Sequence, residues 1–389
     1  MLDALVGMGH ASHRDQDLLR EIAAYAERLR ASAGRGDTDL VRQAEVAVQQ
    51  DAKVFAFDPS GAATLTAAGH TWSAGRFEPV SIGTLRARAQ QARARALPSR
   101  APRARLWVID GAAAATDIGS LQANAGERAL FQVASQFNCL EAPGPAVVPV
   151  VRYLTDPTQG PRASISAFPG TLLRHYAAPG PGGERFVQVT NGRQIELLGD
   201  VCDPSVGRAQ NGYLMADGVA DPKAFVQSLE ERFDAIKVGL HDGVEVVLGY
   251  NWSGAVEGRP TIAQVFTSTV AAGGYGGEHL GGYFEPACRL LLRAAYLGTL
   301  LGAATTLKTK VVLTLIGGGV FDNPIEVIWG AIEWALAEVE PLLCDDLEVI
   351  VNGRDLSQRL PRERILAPVR ARGGAMVVFD RASEATIVR

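Results

Sequence analysis

The sequence has no CxxC pair, no strong excess of one charge and no long uninterrupted apolar run. Its four cysteines, Cys139, Cys202, Cys288 and Cys344, lie far apart, which excludes a disulfide frame or zinc ribbon and fits reduced thiols. The six histidines are equally scattered, and no residue set has the spacing of a metal cage. A formal net charge of −4 over 389 residues gives no field that would favour nucleic acid or an anionic membrane as partner. No apolar run reaches the roughly 18 residues of a membrane span. The opening MLDALVGMGHASHRDQ has no basic start followed by an apolar stretch, so no secretion signal is expected and the cytoplasm is the expected compartment. What is present, 47% hydrophobic and 21% charged residues, is enough to bury one extended core or two smaller ones.

Leu18, Ile22, Ala26 and Leu29 fall at helical spacing in residues 15 to 33, ahead of Gly34, and a short alternating segment, KVFAF, follows. Residues 84 to 105 carry seven arginines and two prolines, which predicts an exposed helix running into an extended linker. This run has no aromatic to stack on a base, so it reads as a solvated face and as a boundary between an accessory region, 1–100, and a main domain, 101–389. Beyond it, ARLWVID, RALFQVAS, AVVPVVRYL, IAQVFTSTV, TKVVLTLI and LEVIVNG alternate with helical stretches. Most are continuously apolar, as strands covered on both faces are, and the pattern predicts a three-layer α/β fold with a mixed sheet. Residues 200 to about 260 read as an insertion, with a helix from Pro222 to Phe233 and a hairpin, IKVGLHDGVEVVLG, turned at Asp242-Gly243.

The corner LTLIGGGVFDNPIEVIWGAIEWAL, residues 313 to 336, reads as a strand passing through Gly317, Gly318 and Gly319 into a helix. Asn323 is the expected N-cap, Pro324 the first helical residue and Glu326 a capping-box partner. Glycines ahead of a helix let the backbone approach a ligand, and free N–H groups there favour an anion such as a diphosphate. The corner lacks the Lys-Ser/Thr of a Walker A loop and the third glycine of a dinucleotide fingerprint. Val320 and Phe321 form the loop tip, where the Phe321 ring either stacks on a ligand or plugs the loop. A second unusual stretch, TDPTQGPRASISAFPGTLLRHYA from 155 to 177, is dense in Pro, Gly and small hydroxylic residues ahead of an expected helix. Two such loops at one end of a sheet would clamp a ligand from both sides.

On these residues, the C-terminal two-thirds resembles a macrodomain, the ADP-ribose-binding fold. IGGGVFDNP is similar to that family's second phosphate loop. Asp117-Ile118 in TDIGSLQ is similar to the Asp-Ile that meets adenine, and Asn138 matches the asparagine that meets the distal ribose. TQGPRASISAFPG, with Gln159 and Gly160, occupies the place of the first phosphate loop without its usual triple glycine. The ordered set QFNCLE, DPTQGP, VFTSTV, LLRAAYLGTLLGAA and IGGGVF resembles MavL-type macrodomains over roughly residues 105 to 340. The resemblance implies a hydrolase that releases ADP-ribose from arginine, ubiquitin arginine included. From charge, hydropathy and residue spacing, no cofactor, no nucleic acid and no membrane is expected among its partners.

Expelling a guanidine from C1″ passes through an oxocarbenium-like state, and carboxylates suit that task. Asp156 and Glu141 are the candidates, since each follows a predicted strand and falls beside the expected distal ribose. Capping its own turn is the alternative role for Asp156, and that of a solvated loop residue the alternative for Glu141. A reader that binds ADP-ribose without turnover, a poly(ADP-ribose) glycohydrolase and an α/β scaffold without nucleotide are the competing readings. The glycohydrolase reading lacks an adjacent Glu-Glu pair after the first loop.

Overall fold

The computed structural model describes Asp3, Leu5 and residues 14–389 apart from 33, 35–36, 97–100, 113, 127, 181–182, 187, 189–192, 203–208, 255, 273–275 and 380–384. Most of the segment read for a secretion signal, and the LPSR part of the Arg-rich linker, lie outside the described residues. The strands are β1 (Phe55–Phe57), β2 (Ala63–Ala67), β3 (His70–Ser81), β4 (Ala104–Asp110), β5 (Ala129–Ala134), β6 (Ala209–Gln210), β7 (Tyr213–Leu214), β8 (Lys237–Glu245), β9 (Thr261–Thr267), β10 (Lys310–Thr314), β11 (Leu347–Asn352), β12 (Met376–Phe379) and β13 (Ala385–Val388). Eleven of them make one sheet in the order β1-β2-β3-β8-β9-β5-β10-β11-β4-β12-β13, and β6 and β7 form a separate ribbon. From β9 to β12 the neighbours run parallel, and the flanks are antiparallel, so the sheet is mixed.

The parallel centre is where the sequence is most apolar. Every residue of β10 and β11 is buried, because helices cover both faces. Side-chain alternation along β8 shows the two layers. Val238 and Leu240 meet Gly298 and Gly302 of the helix Phe284–Thr305, while His241 meets Gly170 of the helix Phe168–Tyr176. Phe284–Thr305 packs against the helices Ile82–Ala96, Pro222–Glu231 and Ile325–Val339. By length and composition the stretch Gly277–Thr305 would span a membrane, but 78% of its apolar window is buried inside this protein, so it serves as the central core helix. The expected three-layer α/β architecture is the one found.

Three expectations fail for physical reasons. The 237–250 segment is not a hairpin: Asp242-Gly243 sits inside β8, where Gly243 (φ +76°) makes a bulge between the pairs formed by His241 and Val244 with β9. A bulge and a tight turn both call for a glycine at positive φ, so the dipeptide alone does not separate them. β8 then joins β3 to β9, and the sheet runs unbroken from the first hundred residues into the segment read as an insertion. AVVPVVRYL is not a strand: Pro149 interrupts it, and Val150–Thr155 is a 3-10 helix. The 155–177 stretch, read as a loop ahead of a helix, itself holds two helices, Gln159–Ser166 and Phe168–Tyr176.

The first hundred residues pack on that stretch. Val41, Phe55, Leu65 and Trp72 share a core with Phe168 and Leu172, and the Trp72 ring meets Phe168 edge-on at 5.0 Å.

Candidate functional site

Parallel strands end together, and a crevice opens where they do. The C-terminal ends of β5, β9, β10 and β11 supply Gln136, Ser268, Thr269, Thr314 and Asn352 to the floor of a cleft of about 590 Å³, within the usual range for a small-molecule site. The glycine bend after β10 forms one wall and the 156–160 segment the other. Thus the cleft brings together Glu141, Asp156, Gln159, Gly160, Gly317, Gly318, Gly319, Val320 and Phe321. Tyr213 also lines the cleft, its ring centroid 6.2 Å from that of Phe321.

The three glycines are not equivalent. Gly317 has φ +72°, and a Cβ there would lie 2.3 Å from the Asn323 amide and 2.8 Å from Thr269. Gly318 donates its N–H to Leu315 O at 2.9 Å, so this amide is spent within the bend. Nothing lies within 4 Å of a Cβ built on Gly319. The amides of Gly317, Gly319 and Val320 have no protein acceptor among the described residues, which leaves them for an anion. We therefore expect Gly317→Ala to lower stability by about 2 kcal/mol or more. Gly319→Val should leave thermal stability unchanged and weaken the binding of inorganic pyrophosphate at the bend at least tenfold by calorimetry. A Gly319 variant that binds as wild type would show that no ligand approaches the bend.

Opposite, Asp156 Oδ1 accepts from both the N–H and the O–H of Thr158, at 2.9 and 2.7 Å. This turn leads into the helix Gln159–Ser166, whose first residues, Gln159 and Gly160, line the same cleft as the glycine bend. Gly160 is required here, because a Cβ would lie 2.4 Å from Ala134 O and 2.7 Å from Glu141 Oε1. Glu141 is buried, its N–H donates to Tyr153 Oη at 2.9 Å, and its Oε1 has no partner. Burial first, and the Asp156 charge second, push its carboxyl well above the usual range, against the pull of Arg174. Arg174 is itself fully buried and donates to Cys139 O at 3.2 Å, His241 Nδ1 at 3.0 Å and Thr171 Oγ1 at 3.0 Å. Since Arg174 can only donate, His241 accepts through Nδ1 and presents its N–H to Ala74 O at 2.7 Å. Gln136 Oε1, Thr269 Oγ1, Thr314 Oγ1 and Asn352 Oδ1, all on cleft residues, also lack partners. Each is a buried polar atom whose partner the protein itself does not supply, a role that an ordered water can fill.

Four expected residues stand outside the lining. Asn138 spends Nδ2 on Asn211 O (3.0 Å) and Oδ1 on Leu140 N (3.2 Å). Asp117 caps the helix Ile118–Ala123 through Ser120 N and pairs with Arg162, and the Ile118 N–H is held by Gln159 Oε1 at 3.1 Å. Asn323 is not the N-cap: Nδ2 donates inward to Val270 O at 2.9 Å, and the helix starts at Ile325 behind Pro324 with no side-chain cap. Glu326 bonds Arg364 at 3.2 Å instead of closing a capping box. Conversely, Arg354, Asp355 and Arg359 line the cleft and were missed. A signal existed, since LEVIVNG follows TKVVLTLI across one helix, which makes parallel neighbours whose loops emerge at the same end. Among the described residues, no cluster of three His, Cys, Asp or Glu side chains is placed to hold a metal.

No protein-family model matches the sequence, and no curated protein is similar to it in sequence. Among solved structures, the chain is similar to the poly(ADP-ribose) glycohydrolase of Thermomonospora curvata at 14% identity and a TM-score of 0.40, covering 91% of this chain and 99% of that one. It is also similar to the poly(ADP-ribose) glycohydrolase of Deinococcus radiodurans in complex with ADP-ribose, at 11% identity and a TM-score of 0.35, covering 76% and 93%. These neighbours are glycohydrolases and not MavL-type enzymes, which corrects the expectation drawn from the order of the motifs. Short loop motifs follow from backbone demands that related folds share, so their order does not separate families.

Proposed function

We propose that the protein hydrolyses the C1″ glycosidic bond of ADP-ribose conjugates, holding the diphosphate between the glycine bend and the 159–160 turn. The observation that carries this reading is the pair of carboxyl groups in one cleft, Glu141 buried and proton-retaining, Asp156 half-buried and hydrogen-bonded by Thr158. Environments that differ in this way divide acid from base. Water attacks C1″ and yields its proton to Asp156. The C1″–O bond breaks with its electron pair on the departing oxygen, which takes the proton of Glu141. The Asp156 proton later restores Glu141 through solvent.

The neutral Glu141 favours an oxygen leaving group, such as the ribose hydroxyl in poly(ADP-ribose), because an alkoxide needs a proton donor. Arginine-linked ADP-ribose is the second reading, and the partly exposed Asp156 carboxylate in the cleft supports it. A guanidinium departs as neutral guanidine without a donor, and a carboxylate would hold it before cleavage.

Incubation with poly(ADP-ribose) and, separately, with arginine-ADP-ribosylated protein, followed by quantifying released ADP-ribose, distinguishes the two. Turnover of neither, with ADP-ribose bound, would leave a reader in place of an enzyme. Asp156→Ala should lower turnover by roughly 10²-fold or more while ADP-ribose affinity is retained. Unchanged turnover in that variant removes Asp156 from the mechanism.

A further inference from the structure

Two arginines enter the cleft from the turn after β11, and the proposed chemistry at C1″ uses neither. Arg354 and Arg359 line the wall beside the glycine bend, and among the described residues neither has a carboxylate within ion-pair distance. Asp355 also lines the cleft, with its carboxylate accepting from Gln358 Nε2 at 3.1 Å.

Arg359 sits at the end of a four-residue helix, Leu356–Arg359, too short to persist without external support. That support is Asp110, at the end of β4 and 1% exposed. Its carboxylate accepts from Leu356 N at 2.7 Å, Ser357 N at 3.2 Å and the Ser357 hydroxyl. The anchored helix carries the guanidinium to the glycine bend, where Nη1 donates to Gly318 O.

The bond has a directional consequence. In a trans peptide the C=O of one residue and the N–H of the next point in opposite directions. Fixing the Gly318 carbonyl therefore fixes the Gly319 N–H, one of the amides without a protein acceptor. Two glycines flank this peptide plane, so no Cβ on either side restricts its rotation. A guanidinium has five N–H donors, which leaves several for a ligand after one is spent on Gly318.

We propose that Arg359 positions the glycine bend and, together with Arg354, forms a cationic wall that recognises the diphosphate of the bound nucleotide. This rests on the reading of the cleft as an ADP-ribose site. Recognition by Arg359 is then confined to the phosphate part of the ligand and is indifferent to the base.

The test measures Arg359→Gln and Arg359→Lys by calorimetry against ADP-ribose, adenosine and inorganic pyrophosphate, with thermal unfolding as the control for folding. Arg359 is exposed, so both variants should fold as wild type. Arg359→Gln should lose at least tenfold in affinity for ADP-ribose and for pyrophosphate, with adenosine affinity unchanged within twofold. Arg359→Lys should recover part of this loss, because an ammonium supplies charge but not the forked geometry. Equal losses for ADP-ribose and adenosine, or no loss for either phosphate ligand, would overturn the proposal. Failure of the wild type to bind ADP-ribose retires the nucleotide reading instead, and the pyrophosphate arm still decides whether Arg359 recognises phosphate.

Discussion

Glu141→Gln should lower turnover steeply and stabilise the protein at neutral pH. The activity loss is expected at roughly 10² to 10⁴-fold, the range for removing a general acid, with ADP-ribose affinity retained because the side-chain shape is kept. The stability gain follows from linkage. Glu141 holds its proton in the folded protein well above the pH at which an ordinary carboxyl loses it, because of burial and the Asp156 charge. The unfolded chain releases that proton near pH 4.5, the ordinary value. The folded state therefore binds more protons above that pH, and the contribution of Glu141 to stability, complete below the unfolded value, is lost as pH rises toward the folded one. Glutamine does not ionise. Urea unfolding of variant and wild type should agree at acidic pH and diverge in favour of the variant toward neutrality. A variant that is no more stable at pH 7.5 than at pH 4, relative to wild type, contradicts the buried protonated state. Turnover in the wild type should also fall on the alkaline side, as Glu141 ionises.

The second large effect concerns stability at a distance from the cleft. Glu45, on the helix Asp39–Gln50 and 2% exposed, accepts from the backbone N–H groups of Val150 and Val151 (2.8 Å) and from the Tyr176 hydroxyl at 2.6 Å. It thereby satisfies the start of the 3-10 helix Val150–Thr155, whose C-terminal cap is Asp156. Glu45→Ala strands three donors in or near the core, and charge-assisted bonds of this kind make the loss roughly 3 kcal/mol or more. Because the same turn sets Asp156, kcat should fall further than ADP-ribose affinity. Glu45→Gln, with one carbonyl acceptor in place of two carboxylate oxygens, should fall between. Denaturant unfolding that places Glu45→Ala within 0.5 kcal/mol of wild type would show that the first hundred residues do not hold the site.

The legible parts of this sequence were those in which one physical demand dominates. ARLWVID, TKVVLTLI and LEVIVNG became β4, β10 and β11 because burial on both faces leaves few alternatives to a continuous apolar run. The glycine bend was legible for a related reason, since Gly317 answers a backbone need for positive φ. Asp242-Gly243 was misread because a bulge and a turn ask for the same residue, and only the partners on either side of β8 decide between them. AVVPVVRYL was misread because its amides are satisfied by Glu45, 105 residues away along the chain. Asn138 and Asp117 have the composition of ligand-binding residues, and in the fold both bond to groups of the protein itself and stand outside the cleft lining. The strand order pointed to the loop after β11 but not to Arg359 within it, whose place beside Gly318 depends on Asp110.

The pairing of β3 with β8 also sets a schedule for synthesis. Ser81 finds its partner in Lys237, 156 positions later by their numbers, which at ribosomal speed is roughly 8 to 30 seconds. Through that interval one edge of β3 has no native neighbour, while β2 already shields the other. The emerging chain therefore carries an open strand edge, with the hazard of pairing to another nascent copy, until the segment around Gly243 leaves the ribosome.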